Sequence, residues 1–141
     1  MNNSAALAAR HFPLDGELTY CEPYGFGHIN RTFLVVTDKK IRYILQGINH
    51  NVFADVPGLM NNISLVTRHI AKKVSDPRGV LRLVPADTGA DFYLDGAGQY
   101  WRVYEFVENS LCLQAPESPA DFYQSAIAFG TFQNQLADFD A

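Results

Sequence analysis

Basic charge is scarce in this 141-residue chain, and what there is does not cluster. Eleven Lys and Arg stand against fifteen Asp and Glu, and no basic run is longer than a pair such as Lys39-Lys40. A protein that binds a nucleic-acid backbone is normally basic, so the balance argues against nucleic acid as a partner. Long apolar runs are missing too. Stretches such as Phe33 to Val36 fall far short of the ~20 residues a membrane span needs, which argues against a membrane. The first ten residues have no basic flank and no long apolar core, so they do not read as a secretory signal. Cysteine is limited to Cys21 and Cys112, too far apart for a metal spacing, and both read as reduced thiols of a cytoplasmic protein. His11, His28, His50 and His69 share no metal-ligand spacing with one another or with an acid. No Ser or Cys stands in a nucleophile-elbow context. No repeat or linker divides the chain. What is present is a 48% hydrophobic composition at a length that fits one domain with a real core.

The apolar pattern predicts elements in a clear order. A short Ala-rich helix ends near His11. Glu17 to Tyr24, Ile29 to Thr37 and Ile41 to Gln46 read as strands, the last two joined by the polar turn Asp38-Lys39-Lys40 into an antiparallel hairpin. Leu59, Ile63, Val66 and Ile70 then recur at helical spacing within residues 55–74, with Asp55 as cap and Pro57 in the first turn. Strands return at Val80 to Val84, Ala90 to Leu94 and Gln99 to Val107, with Asp95-Gly96-Ala97-Gly98 as a turn. Ser118-Pro119-Ala120-Asp121 starts a last helix, whose Phe122, Ala126, Phe129, Phe132, Leu136 and Phe139 make a broad apolar stripe. The order predicts an α+β fold with a mostly antiparallel sheet of about five strands and one packed helix. Leu59, Ile63, Val66 and Ile70 are the expected buried side of that helix.

The segment Tyr24-Gly25-Phe26-Gly27-His28-Ile29-Asn30-Arg31-Thr32 is the most informative for chemistry. Two glycines one residue apart join a first strand to a second, where they free backbone N–H groups to approach a phosphate. A dinucleotide fingerprint would have its glycines open a helix, and a Walker loop would carry Lys and Ser or Thr, so neither applies. A plain glycine-containing hairpin turn fits these residues equally well. In the aromatic strand at residues 100–107, alternation puts Trp101, Val103, Glu105 and Val107 on one face and Arg102, Tyr104 and Phe106 on the other.

Taken together, EPYGFGHINRTFLV (22–35), RYILQGIN (42–49), LMNNISLVT (59–67), YWRVYEFVE (100–108) and FGTFQNQLADFDA (129–141) resemble the N-acetylhexosamine 1-kinases. Those enzymes belong to the aminoglycoside phosphotransferase and choline kinase-like group, and the likeness covers nearly the whole chain. The resemblance implies a protein-kinase-like N-terminal lobe over residues 1–108. A connection and helix over 109–141 would lead toward a C-terminal lobe. It implies ATP and Mg²⁺ as cofactors and an amino sugar as the small-molecule substrate. Gly25, Phe26, Gly27, His28, Ile29 and Asn30 would form the loop over the ATP phosphates, with Thr32 starting the strand that leaves it. Gln46 takes the third-strand position where protein kinases keep a phosphate-binding Lys. Glu105, Phe106, Val107 and Glu108 would be the hinge facing adenine, with Tyr104 and Phe106 at the pocket edge.

Two departures from a protein kinase accompany the resemblance. No Glu occurs between Glu22 and Glu105, so the helix has no acid to pair with a third-strand Lys. The acceptor-activating Asp and the Mg²⁺ ligands of such kinases lie on loops of a C-terminal lobe, which are expected beyond Ala141. The chain alone is therefore expected to be inactive. Its uncovered underside would self-associate, most simply as a two-fold dimer. Two alternatives stand beside the sugar kinase. One is a non-catalytic kinase-lobe-like interaction module. The other is a homoserine, choline or aminoglycoside type of phosphotransferase.

Overall fold

β-branched and aromatic stretches separated by polar turns become a twisted antiparallel sheet in the computed structural model, which describes residues 3–25, 27, 29–110 and 115–140. β1 (Leu18–Pro23), β2 (Arg31–Thr37) and β3 (Arg42–Ile48) are successive neighbours, and β6 (Tyr100–Glu105) pairs with β3 along its whole length. The far edge of β6 is shared end to end by β4 (Leu83–Val84) and β5 (Tyr93–Leu94). The sheet thus has six strands rather than about five, in the order β1-β2-β3-β6-β4 with β5 beside β6. The predicted strands at residues 80–84 and 90–94 shrink to two residues each. Pro85 has no N–H to extend the ladder beyond β4. Ala86 N–H instead donates to Ala90 across a tight turn at 2.7 Å.

The two faces of the sheet are covered differently. On one, Phe33, Val35, Tyr43, Leu45, Trp101 and Val103 are buried together with Cys21 and Phe12. Helix α1 (Asn3–Ala9) covers this face with Ala5, Ala6, Ala8 and Ala9, whose small side chains let the helix backbone lie close to the strands. Burial pushes the Cys21 thiol up to about 11, so it behaves as an inert core residue. Cys112 lies outside the described residues. Gly16 anchors the entry to β1 at φ +107, where a Cβ would sit 2.5 Å from Asp38 Oδ1. That oxygen accepts from Glu17 N–H at 2.9 Å and holds the β2–β3 turn.

The opposite face meets α2 (Val56–Ala71). Asp55 caps it as the sequence indicates, accepting from Gly58 N–H at 3.0 Å, and Pro57 stands in the first turn. Its buried line differs from expectation. Val56, Met60, Ser64 and Ile70 are buried, while Leu59, Ile63 and Val66 are only partly covered. The helix is rotated because the long Met60 side chain enters the gap above the sheet. It packs with Ile48 and Val56 and comes within 3.7 Å of Arg102 Nη1. α3 (Pro119–Gln135) begins at the expected cap, Ser118 Oγ accepting from Asp121 N–H at 3.3 Å. None of its residues is buried, and Phe122, Tyr123, Phe129 and Phe132 are exposed. Its C-terminal end is tied to α2. Lys73 donates to the Gln135 carbonyl at 2.9 Å and pairs with Asp138, and His69 contacts Asp138 at 3.0 Å. No helix among the described residues is long and apolar enough to cross a membrane.

Candidate functional site

The loop between β1 and β2 is closed at its base by Tyr24 N–H donating to the Thr32 carbonyl at 2.9 Å. Gly25 is exposed at φ +82, a conformation that side chains oppose. Gly27 has a tighter reason to lack a Cβ, which would stand 3.3 Å from both the Asn30 carbonyl and Thr32 Oγ1. Ile29 is exposed. Asn30 turns inward, and its Oδ1 accepts from Asn49 N–H at 2.9 Å, which fastens the loop to the end of β3. Phe26 and His28, both assigned to this loop, lie outside the described residues. An open cleft of about 350 Å³ runs beside the loop, lined by Pro23, Tyr24, Gly25, Gly27, Arg31 and Thr32.

Behind Thr32 a polar row crosses three strands. Thr32 lies opposite Gln46, and Gln46 lies opposite Arg102, on β2, β3 and β6. Gln46 Nε2 donates to Thr32 Oγ1 at 3.2 Å. Gln46 Oε1 accepts from Arg102 Nε at 3.0 Å and Nη2 at 2.8 Å. Arg102 is 9% exposed, and no carboxylate among the described residues lies within ion-pair distance of it. Burial pulls its pKa below the usual arginine value. Its guanidinium carbon stands 5.1 Å from the centre of the Tyr104 ring. Tyr104 is itself buried, and that burial raises its hydroxyl pKa against the lowering effect of Arg102.

The end of β6 and the segment after it are pinned to the residue before β4 and to the start of β3. Glu105 N–H donates to the Arg82 carbonyl at 2.9 Å and Phe106 N–H to the Arg42 carbonyl at 3.3 Å. The Arg42 guanidinium lies 4.3 Å over the Phe106 ring and reaches on to Glu108, with Nε to Oε1 at 3.0 Å. That hydrogen bond holds the Glu108 carboxyl below its ordinary range. Val107 is half-buried, and its carbonyl accepts from Ser110 Oγ at 2.6 Å. The Phe106 ring meets Tyr24 edge to face at 6.0 Å, so the base of the glycine loop and the expected hinge touch.

Gly25, Gly27, Asn30, Thr32 and Gln46 are therefore one connected group, while Tyr104, Glu105, Phe106 and Val107 form a second, joined to the first through Arg102 and Tyr24. Sequence reasoning did not assign a role to Arg102, Arg42 or Tyr24. Alternation placed Arg102 on the right face. The missing information was the β3–β6 register, which sets it directly opposite Gln46. Among the described residues no three His, Cys, Asp or Glu side chains gather as a metal site. The described residues therefore offer no ligand set for the Mg²⁺ of the expected chemistry.

No protein-family model matches the sequence. Two solved structures share its architecture. One is the aminoglycoside phosphotransferase from Alicyclobacillus acidocaldarius, at TM-score 0.68 and 15% identity, over 92% of this chain and 34% of that one. Another is the amicoumacin kinase hAmiN in complex with AMP-PNP, Ca²⁺ and Ami, at TM-score 0.71 and 14% identity, over 99% of this chain and 41% of that one. The chain thus spans well under half the length of either phosphotransferase. With its glycine loop between the first two strands, its single helix on one face of the antiparallel sheet and these neighbours, it has the fold of a kinase-like N-terminal lobe.

Proposed function

We propose that the chain is the nucleotide-binding portion of an ATP-dependent small-molecule kinase whose acceptor is the anomeric hydroxyl of an N-acetylhexosamine. The observation that carries the kinase reading is the join between the glycine loop and the third strand. Gly27 has little room for a Cβ beside Thr32, and Thr32 Oγ1 accepts from Gln46, which by the resemblance takes the third-strand position where protein kinases keep a phosphate-binding side chain. The acceptor reading rests on the stretches that resemble the sugar 1-kinases, Gln46 among them. Catalysis in this class is positioning plus charge stabilisation. This chain contributes the loop over the phosphates and one wall of the adenine slot, between Tyr104 and Phe106. The Asp that activates the acceptor and the Mg²⁺ ligands come from beyond Ala141, and the protein works in the cytoplasm, where ATP is supplied.

The test is sugar-dependent ADP release by the full-length protein with ATP and Mg²⁺. N-acetylglucosamine and N-acetylgalactosamine are run beside choline, homoserine and an aminoglycoside. Turnover with an N-acetylhexosamine supports the assignment. Turnover with one of the other acceptors keeps the kinase and replaces its substrate. ATP binding without turnover on any acceptor favours the non-catalytic module.

A further inference from the structure

The buried guanidinium on β6 lacks the partner that such a group ordinarily has. A buried cation is costly unless it is paired or richly hydrogen-bonded. Arg102 spends Nε and Nη2 on one neutral oxygen, Gln46 Oε1, and Nη1 faces only the Met60 sulfur. Two of its five N–H groups have no acceptor among the described residues. Its position is not arbitrary. From Thr32, at the end of the glycine loop, through Gln46 to Arg102, hydrogen bonds of 3.2 and 2.8 Å lead into the space between sheet and α2.

The guanidinium also settles how Gln46 is turned. Arg has donors only, so the amide face toward it has to be the oxygen. The NH₂ then points away from Arg102, toward Thr32 and the loop. One of its two N–H groups goes to Thr32 Oγ1. The other has no acceptor among the described residues. A Gln in this place carries no charge of its own. Behind it stands a full positive charge that no carboxylate offsets, at a depth where screening by salt is weak.

We propose that Gln46 and Arg102 act as a two-residue substitute for the third-strand lysine. Gln46 Nε2 donates to a phosphate oxygen of a nucleoside triphosphate, and Arg102 fixes the amide in that orientation and supplies the positive potential behind it. Gln46 touches the ligand, and Arg102 is a positioning residue. The pairing rests on the nucleotide reading above. It also accounts for the absence of any acid on α2. A Glu there would neutralise the charge of Arg102.

Gln46→Glu separates a phosphate role from a structural one. The new carboxylate keeps both hydrogen bonds from Arg102, so the variant should melt at or above the wild-type temperature. It loses the donor and cancels the charge. Calorimetric titration of the full-length protein with ATP and with adenosine is the measurement. Expected are an ATP affinity at least tenfold weaker in Gln46→Glu and adenosine affinity within twofold of wild type. Arg102→Met should weaken ATP in the same way. Adding Gln46→Lys to Arg102→Met should restore most of it by moving the charge to β3. ATP binding within twofold of wild type in Gln46→Glu, or equal losses for ATP and adenosine, overturns the proposal while leaving the nucleotide reading in place. A wild-type protein that binds neither ATP nor adenosine removes both.

Discussion

The two faces of this sheet are built from the same strands to opposite ends. Toward α1 the positions from Phe33 and Val35 across Leu45 to Trp101 and Val103 are apolar and closed, sealed by a helix of alanines, and Thr37 is the buried polar residue on that face among the described residues. Toward α2, one residue along each strand, the matching positions are Thr32, Gln46 and Arg102. A purely structural sheet gains nothing from a polar row on its second face, since filling it with aliphatic side chains is often as stabilising or more so. The α1 face holds the fold together, and the α2 face retains a polar row that the proposed nucleotide role would use. α3 belongs to the second side, because its attachment runs through Lys73 and His69 of the α2 end.

The strongest way to break the comparison is a truncation on the closed face. Trp101 is fully buried, its ring centre stands 6.1 Å from that of Phe33, and its Nε1 donates to Asp95 Oδ2 at 2.9 Å. Trp101→Ala should cost about 3–5 kcal/mol in denaturant unfolding, enough to unfold a marginal domain. A loss below 1 kcal/mol would mean that the α1 face is not the core. The second test is on α3. Phe129 and Phe132 are 66% and 44% exposed, beside exposed Phe122 and Tyr123. Burial of such groups drives self-association, most simply as a two-fold pair. Sedimentation of the chain across a concentration series should show dimerisation. Phe129→Ser with Phe132→Ser should weaken it tenfold or more, about 1.4 kcal/mol. A chain that stays monomeric throughout removes the dimer.

How much of this was legible in the sequence differs between the faces for the same reason. The strands themselves and the β2–β3 hairpin follow from period-two alternation and turn residues, which are local signals. Asp55 and Ser118 announce their helix starts because a cap acts within three residues. The rotation of α2 was missed because Leu59, Ile63 and Val66 have the right spacing, whereas only the sheet opposite decides that Met60 fills the gap. The brevity of β4 and β5 hangs on Pro85 and on which edge of β6 they reach. At the site, the glycine loop stood out in the chain, and Gln46 came with the family resemblance. Arg102 did not, because its meaning comes from a residue 56 positions away that a pairing register sets beside it.

A smaller effect is expected from removing Arg102 alone, and its smallness sharpens the contrast. Met has nearly the length of the arginine stem, sits beside Met60 and leaves no charge to desolvate. Half-buried Gln46 can turn to water for its lost donors. Arg102→Met should therefore change unfolding free energy by no more than about 1 kcal/mol, against several for Trp101→Ala one position away. Equal losses at the two positions would show that both faces are structural and that the polar row is simply part of the core.

The least expected effect is on the open side's outermost tie, and pH is the way to reach it. Asp138 is held at about 2 by hydrogen bonds from Lys73 and then His69, which outweigh the small opposing cost of desolvation. A carboxyl lowered in the folded state contributes stability that is complete above its ordinary value, 3.8, and is lost as the pH falls toward 2. The group is exposed, so the loss should be local, freeing the end of α3 from α2 rather than unfolding the sheet. Hydrogen exchange followed from pH 5 to pH 2.5, corrected for intrinsic rates, should show protection falling at residues 136–140 while β3 stays protected. Asp138→Asn should lack that step, being already loosened at pH 5. If β3 and the tail lose protection together, the tail is coupled to the closed core, and the division between the two faces does not extend to α3.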